Sequence, residues 1–384
     1  MIERILDAAI RFRWATIGLT LVIALYGAFQ LFKLPIDAVP DITNKQVQVN
    51  VSAPQFSPLD MERLVTFPME TTLAGIPGLD YTRSISRNGF AQVTAVFDEK
   101  VDIYFARQQV AERLAQASES LPDGVQPQMG PVSTGLGEVL MWSVDYEPTA
   151  TAKNPKIAGR PGFQPDGSYL TIEGERLTDE VSKLAYLRTI QDWVIRPQLR
   201  NVAGLAGVDS IGGYEKQFVV QPDPARLASY GVSFTELADA LEGSNISVGA
   251  NFIQRAGEAF LVRADARIRH IDEIGGTVIA NRNGVAVRVS DVATVRLGGE
   301  LRTGAASTNG KEVIVGTALM LAGSNSRIVA EAVAERLQEV AKSLPPGVKV
   351  TPLYDRSALV DATISTVENT LNHVGSILKI GRAV

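Results

Sequence analysis

The 384-residue chain has no cysteine and only two histidines, His270 and His373. The first absence excludes disulfide staples, thiolate metal sites and cysteine nucleophiles. The second makes a multi-histidine metal centre implausible within one copy. A GxSxG nucleophile elbow is missing, as are a GxxxxGK[ST] phosphate loop and a GxGxxG turn opening a helix. A conventional enzyme is therefore not expected, and no organic cofactor is implied. The formal net charge of −5 is spread along the chain without a block of either sign. That argues against a nucleic-acid partner, which requires a concentrated basic surface. Long apolar runs are also scarce.

The one exception is Trp14 to Phe32, an uncharged stretch bracketed by Arg13 and Lys33. As a helix it reaches about 28 Å, close to the thickness of a bilayer's hydrocarbon core. Before it, Ile2, Ile5, Leu6, Ala9 and Ile10 recur at helical spacing opposite Glu3, Arg4 and Asp7, a pattern suited to a membrane surface. Arg4, Arg11 and Arg13 precede the run, and Asp37 and Asp41 follow it. The positive-inside bias puts the N-terminus in the cytoplasm and residues after about 33 in the periplasm of a Gram-negative cell. A cleaved signal peptide is the competing reading. Against it stand the length of the run and Leu34-Pro35 where a small-residue cleavage site would be.

The next part of the chain alternates strands and helices. Gln46 to Ser52 alternates apolar and polar residues as a strand does. Ser57 can cap a helix that has Pro58 at its first position. Tyr81 to Ser86 and Ala91 to Phe97 flank Arg87-Asn88-Gly89, a hairpin signal. A helix over 102–120 and a strand from Val125 to Met129 follow. The order βαββαβ predicts a ferredoxin-like split βαβ unit. An internal repeat supports it. Val110-Ala-Glu-Arg-Leu114 recurs as Val333-Ala-Glu-Arg-Leu337, and Ser120-Leu-Pro-Asp-Gly-Val125 as Ser343-Leu-Pro-Pro-Gly-Val348, in one register.

The second copy is longer. Its strands are expected at Val139 to Tyr146, Val208 to Ile211, Glu312 to Leu319 and Val348 to Tyr354. Its helices are expected over 179–200 and 325–343. A Gly/Pro-rich loop around Gly159-Arg-Pro-Gly162 should separate the first strand from the first helix. A further α+β unit is inserted in the second copy's hairpin. Its signals are strand Gln217 to Val220, the capping box Ser233-x-x-Glu236, and a hairpin of Val248 to Ile253 with Ala259 to Arg263.

Several longer motifs add a family likeness. Leu34-Pro-Ile-Asp-Ala-Val-Pro-Asp-Ile-Thr-Asn44 resembles the opening of heavy-metal-efflux permeases of the resistance-nodulation-division (RND) family. So do Gly130-Pro-Val-Ser-Thr-Gly-Leu-Gly-Glu138, the run from Leu187 to Leu199, Ser210-Ile-Gly-Gly-Tyr214 and Tyr354-Asp-Arg-Ser357. The resemblance covers roughly residues 1 to 365. It implies a homotrimeric, proton-driven inner-membrane exporter of divalent cations that works with a periplasmic adaptor and an outer-membrane channel.

The expected architecture is α+β. Residues 1–33 hold an amphipathic helix and a transmembrane helix. Residues 43–132 form a first porter subdomain, and 133–212 with 300–355 a second. Residues 213–299 form an inserted docking subdomain, and 356–384 a truncated start of a second span. In that last segment Glu368, Asn369, Asn372, His373, Lys379 and Arg382 interrupt any apolar run. Intact members of the family are more than twice as long, so a fragment unable to transport alone is expected. A single-span periplasmic module that binds intact trimers or adaptors is the alternative. Multidrug export is another substrate class, which the quoted motifs disfavour.

Glu138 is the first candidate metal ligand, because it opens a porter strand after Gly135-Leu-Gly137 and a carboxylate there suits Zn²⁺ or Co²⁺. The same position also suits a solvated strand-edge glutamate. Asp145 and Asp179 are further candidates. Six methionines invite a Cu(I) reading, but Met61, Met69, Met129, Met141 and Met320 fall where core filler is expected. His270 sits beside Arg267 and Arg269, a poor place for a cation. Tyr186 and Trp193 are expected to pack. Arg263, Arg267 and Arg269 are expected on a solvated or intersubunit face.

Overall fold

The structure, a computed structural model, describes residues 10–31, 43–147, 159–255, 258–265, 267–268, 270–282, 284–300, 302 and 304–380. Most of the amphipathic segment, nearly all of the 34–44 motif and Arg269 lie outside these residues.

An N-terminal helix, Arg13–Leu31, coincides with the uncharged run. Its Ile17, Leu21, Val22, Ile23 and Leu25 are all more than half exposed. Among the described residues, no helix is long and apolar enough to cross a membrane.

The chain then builds a four-stranded antiparallel sheet from β1 (Lys45–Ser52), β2 (Leu79–Arg87), β3 (Phe90–Phe97) and β4 (Pro127–Met129). Its order, β2-β3-β1-β4, is that of a split βαβ unit. Alternation along β1 buries Val47, Val49 and Val51. They meet Met61, Val65, Met69 and Leu73 of one helical stretch, and Ala106, Val110 and Leu114 of helix Ile103–Ser118. Each fully buried aliphatic side chain contributes roughly 1.5–3 kcal/mol. Met61 and Met69 are therefore core residues.

A second sheet has the same topology. It joins β5 (Glu138–Tyr146), β9 (Leu205–Ile211), β17 (Lys311–Met320) and β18 (Val348–Asp355) in the order β9-β17-β5-β18. The short β16 (Ala306–Thr308) adds to β17. Helix Ser326–Ala341, capped by Asn325, covers this sheet with Val329, Val333 and Leu337. Trp142 of β5 pairs with Gly316 of β17, and a Cβ on Gly316 would lie 2.3 Å from the indole. Only glycine admits that ring.

The two copies also share a backbone irregularity. The first helix of each is split by a π segment, Met61–Thr66 in one and Gln191–Ile195 in the other. Each segment ends two residues before a proline, Pro68 or Pro197. Proline lacks the N–H that an α-helical ladder needs, and the neighbouring amides reach one residue further back instead. Phe67 N bonds Glu62 O, and Arg196 N bonds Gln191 O.

Between β5 and this second π-containing helix, a loop was expected. The described residues hold three two-residue strands instead, β6 (Gly162–Phe163), β7 (Tyr169–Leu170) and β8 (Arg176–Leu177). They place Tyr169, fully buried, against Tyr146, Phe163 and Tyr186.

The inserted unit begins and ends as one strand pair, β10 (Lys216–Pro222) with β15 (Ala293–Gly299). Within it lie helices Pro224–Tyr230 and Phe234–Ser244, hairpin β11 (Ser247–Arg255) with β12 (Glu258–Asp265), and hairpin β13 (Val278–Arg282) with β14 (Val285–Arg288). Its own core gathers Leu227, Leu237, Ile274, Val287, Val289 and Val292. Ser233 and Glu236 form the expected capping box. After β18, one continuous helix, Arg356–Ile380, passes through Glu368, Asn372 and His373. These residues interrupt apolarity but do not break the helix.

Candidate functional site

The three carboxylates singled out as cation ligands occupy separate places. Glu138 is the exposed first residue of β5, opposite Leu319. Asp145 lies near the other end of the same strand, opposite Lys349, and accepts a hydrogen bond from the Tyr146 amide at 2.7 Å. Seven strand residues put them about 23 Å apart, far beyond a shared coordination sphere. Asp179 caps helix Glu180–Ile190. One carboxylate oxygen accepts from Ser182 N at 2.9 Å and the other from Ser182 Oγ at 2.8 Å. These bonds, the backbone one first, hold its carboxyl below the usual range. Among the described residues, no group of three or more histidine or acidic side chains is placed to hold a metal.

The helix 180–199 presents Leu184, Leu187, Gln191, Ile195 and Leu199 inward. Trp193 falls on the other side and is 78% exposed, so it does not pack as expected. Tyr186 does pack, 5.7 Å from the Tyr169 ring.

The densest polar arrangement in the second unit was not foreseen from sequence. Asp192, in the π segment, accepts from Arg188 Nε at 2.5 Å and from Ser210 Oγ at 2.6 Å, and pairs with Arg196 Nη2 at 3.1 Å. Arg196 Nη2 also donates to Ser210 Oγ at 2.8 Å, and Arg188 Nη1 donates to Gly212 O at 2.9 Å. Ser210 is on β9, so the network ties the helix to the strand that leads into the insert. The only signal in sequence was the Arg188-x-x-x-Asp192-x-x-x-Arg196 spacing, which places all three on one helical face.

Beside this network lies a cleft of about 170 Å³. Arg188, Ser210, Gly212, Glu215, Glu300 and Arg302 line it. Gly212 has φ +86, and a Cβ there would lie 2.6 Å from Val313 O. The chain can turn out of β9 at this point only as glycine. Arg302 stacks over Tyr214, 4.4 Å from the ring centroid, and pairs with Glu312. Glu300 N donates to Glu215 O at 3.0 Å, continuing the β10–β15 ladder by one rung. Glu300 is exposed, yet neighbouring chain takes some water from its carboxyl and raises it above its ordinary range; the Glu215 carboxylate adds to the rise and Arg188 opposes it.

Comparison with known proteins gives this geometry a context. Residues 5–378 match the AcrB/AcrD/AcrF family. The chain is 61% identical over 97% of its length to the nickel-cobalt-cadmium resistance protein NccA of Alcaligenes xylosoxydans xylosoxydans, covering 34% of that protein. It is 59% identical over 97% of its length to the nickel and cobalt resistance protein CnrA of Cupriavidus metallidurans, again covering 34%. A crystal structure of a heavy metal efflux pump superposes with a TM-score of 0.76 at 29% identity, over 93% of this chain and 33% of the pump. The chain thus spans about a third of the length of the relatives it matches.

Proposed function

Because the chain belongs to the AcrB/AcrD/AcrF family of RND permeases, we propose that it supplies the N-terminal third of a proton-driven, inner-membrane exporter of divalent heavy-metal cations. The observation that carries this reading is the pair of β2-β3-β1-β4-type sheets, matched across nearly the whole chain by proteins named for nickel, cobalt and cadmium resistance. In this reading the two sheets are porter subdomains and residues 213–299 are the docking subdomain. Homotrimer formation, a periplasmic adaptor and an outer-membrane channel belong to the same proposal.

In this reading the uncharged run from Trp14 to Phe32, whose described part lies in helix Arg13–Leu31 and is by itself too short or too polar for a span, lies in the bilayer with the N-terminus cytoplasmic and the sheets periplasmic. Its exposed isoleucines, leucines and valines support this, because a soluble helix would turn such side chains towards a core. Residues 356–384 begin a second membrane segment. The cation is substrate, not a resident group. Among the described residues no group of three or more histidine or acidic side chains includes Glu138, so in this reading it meets the cation alongside ligands that are not among them.

The test is a chimera in which this chain replaces the matching third of the nickel-cobalt-cadmium resistance protein. It is expressed in a strain lacking its own cation exporters. The chimera should restore growth on nickel and cobalt, and the chain alone should not. A chimera that is present in the membrane but confers no tolerance overturns the reading. If the chain alone lowers tolerance in a strain with an intact pump, it acts as a partner module instead.

A further inference from the structure

The inserted unit meets the second sheet through two passages of chain, after β9 and before β16. They meet where Arg302 stacks over Tyr214 and, next to it, where Glu215 and Glu300 lie opposite each other as the last rung of the β10–β15 ladder. Two acidic residues directly opposite on antiparallel strands repel when both are charged. The rung ends an isolated two-stranded pair at the neck of the unit, so no third strand reinforces it.

We propose that the Glu215–Glu300 pair is a proton-sensitive latch. One shared proton holds the neck of the insert closed, and its loss loosens the insert from the second sheet. The surroundings decide the direction. From the helix 180–199, Arg188 faces the pair but is already engaged by Asp192 and Gly212 O. From the chain after β15, Arg302 lines the same cleft but is held by Glu312 of β17 and the Tyr214 ring. Lys216, next along β10, pairs with Glu175 at 2.7 Å. Each nearby cation therefore has its own acceptor, and the second carboxylate charge is left poorly compensated.

The linkage has a definite sign. The Glu300 carboxyl sits above its ordinary range in the folded chain. Its contribution is therefore complete below the unfolded value and disappears as pH rises through the folded one. Acid closes the neck and neutral pH opens it. A unit joined at such a neck would change its coupling to the porter sheet with the acidity of its compartment.

Hydrogen–deuterium exchange of the full chain in detergent, corrected for the intrinsic pH dependence of amide exchange, reads this directly. Between about pH 5 and about pH 8, exchange over residues 215–222 and 293–300 should rise by up to about fivefold, the size of a cross-strand charge repulsion. Glu300→Gln and Glu215→Gln should each keep the neck protected at both pH values. Glu312→Gln releases Arg302 from its own acceptor beside the pair and should weaken the pH dependence. Flat wild-type exchange, or a rise that survives Glu300→Gln, overturns the latch. Should the variants fold poorly, the carboxyl ¹³C resonances of the wild-type chain decide. A Glu300 titration at the ordinary glutamate value overturns it as well. None of these readouts involves transport, so the latch can fail while the exporter reading stands.

Discussion

The indole N–H of Trp142 donates to Gln191 Oε1 at 2.9 Å, and both side chains are fully buried. This bond pins the π segment of the helix 180–199 to the central strand of the second sheet. Gln191 Nε2 in turn reaches Ser210 Oγ at 3.4 Å. One polar side chain thus joins the core to the network beside the insert's neck.

Gln191→Leu should leave the indole donor unpaired in an apolar core and cost about 1–3 kcal/mol. Urea unfolding of the full chain in detergent, followed by circular dichroism, measures it. Adding Trp142→Phe removes the orphaned donor and should recover part of the loss. If the double variant is no more stable than Gln191→Leu, the bond is not the source.

Asp192→Ala strips the carboxylate from Arg188, Arg196 and Ser210 together. The side chains of Asp192 and both arginines are at most about a quarter exposed, so the loss should reach about 1.5–3 kcal/mol, the range for hydrogen bonds to a charged group. Asp192→Asn keeps one acceptor and should fall between it and the parent in the same unfolding assay. Equal stability of all three would mean the network is solvated and adds nothing.

Asp179→Ala should destabilise by about 1 kcal/mol through the lost helix cap, and Asp179→Asn by much less. The carboxyl is held below its unfolded value. Its contribution is therefore present above the ordinary aspartate range and fades as pH drops through the folded value. The difference between parent and Asp179→Ala should shrink in thermal melts taken at progressively lower pH. A cobalt or zinc titration should give the same affinity for both proteins if the carboxylate is wholly engaged as a cap.

The absence of native cysteine makes the proposed membrane placement easy to probe. In spheroplasts, a single cysteine at Ser229 or Ser118 should react with an impermeant maleimide, and one at Ile23 should not until detergent is added. Labelling at Ile23 in intact spheroplasts would remove helix Arg13–Leu31 from the bilayer.

The features legible in sequence were those set by neighbours along the chain. Ser57 and Ser233 cap their helices through residues three positions on. Asn88-Gly89 turns a hairpin whose strands already alternate. The repeated Val-Ala-Glu-Arg-Leu segments both lie on helices covering equivalent sheets. Asp179 also carried a local signal, with Ser182 three residues later, yet an acidic residue before a helix suggests a ligand as readily as a cap. What escaped depends on contacts distant in sequence or on strands too short to show a period. Ser210 finds Asp192 only once β9 pairs with β17. Glu215 and Glu300 meet only after the whole insert has folded between them. The π segments escaped because their residues have ordinary helical preferences and a proline signals a break as readily as a widened turn.

The insert's two ends lie one rung apart, and this has a consequence for how the second sheet assembles. Strands β9 and β17 are partners, yet Ile211 and Lys311 are separated by an intervening loop of about 100 residues, whose closure carries a substantial entropic cost. If the insert forms first on its own core, β10 and β15 bring those distant ends together, and the remaining search is that of an ordinary hairpin. The second sheet would then inherit a short path from the prior folding of its guest, and variants that weaken the guest's core, such as Leu237→Ala, should slow closure of the host sheet without touching it.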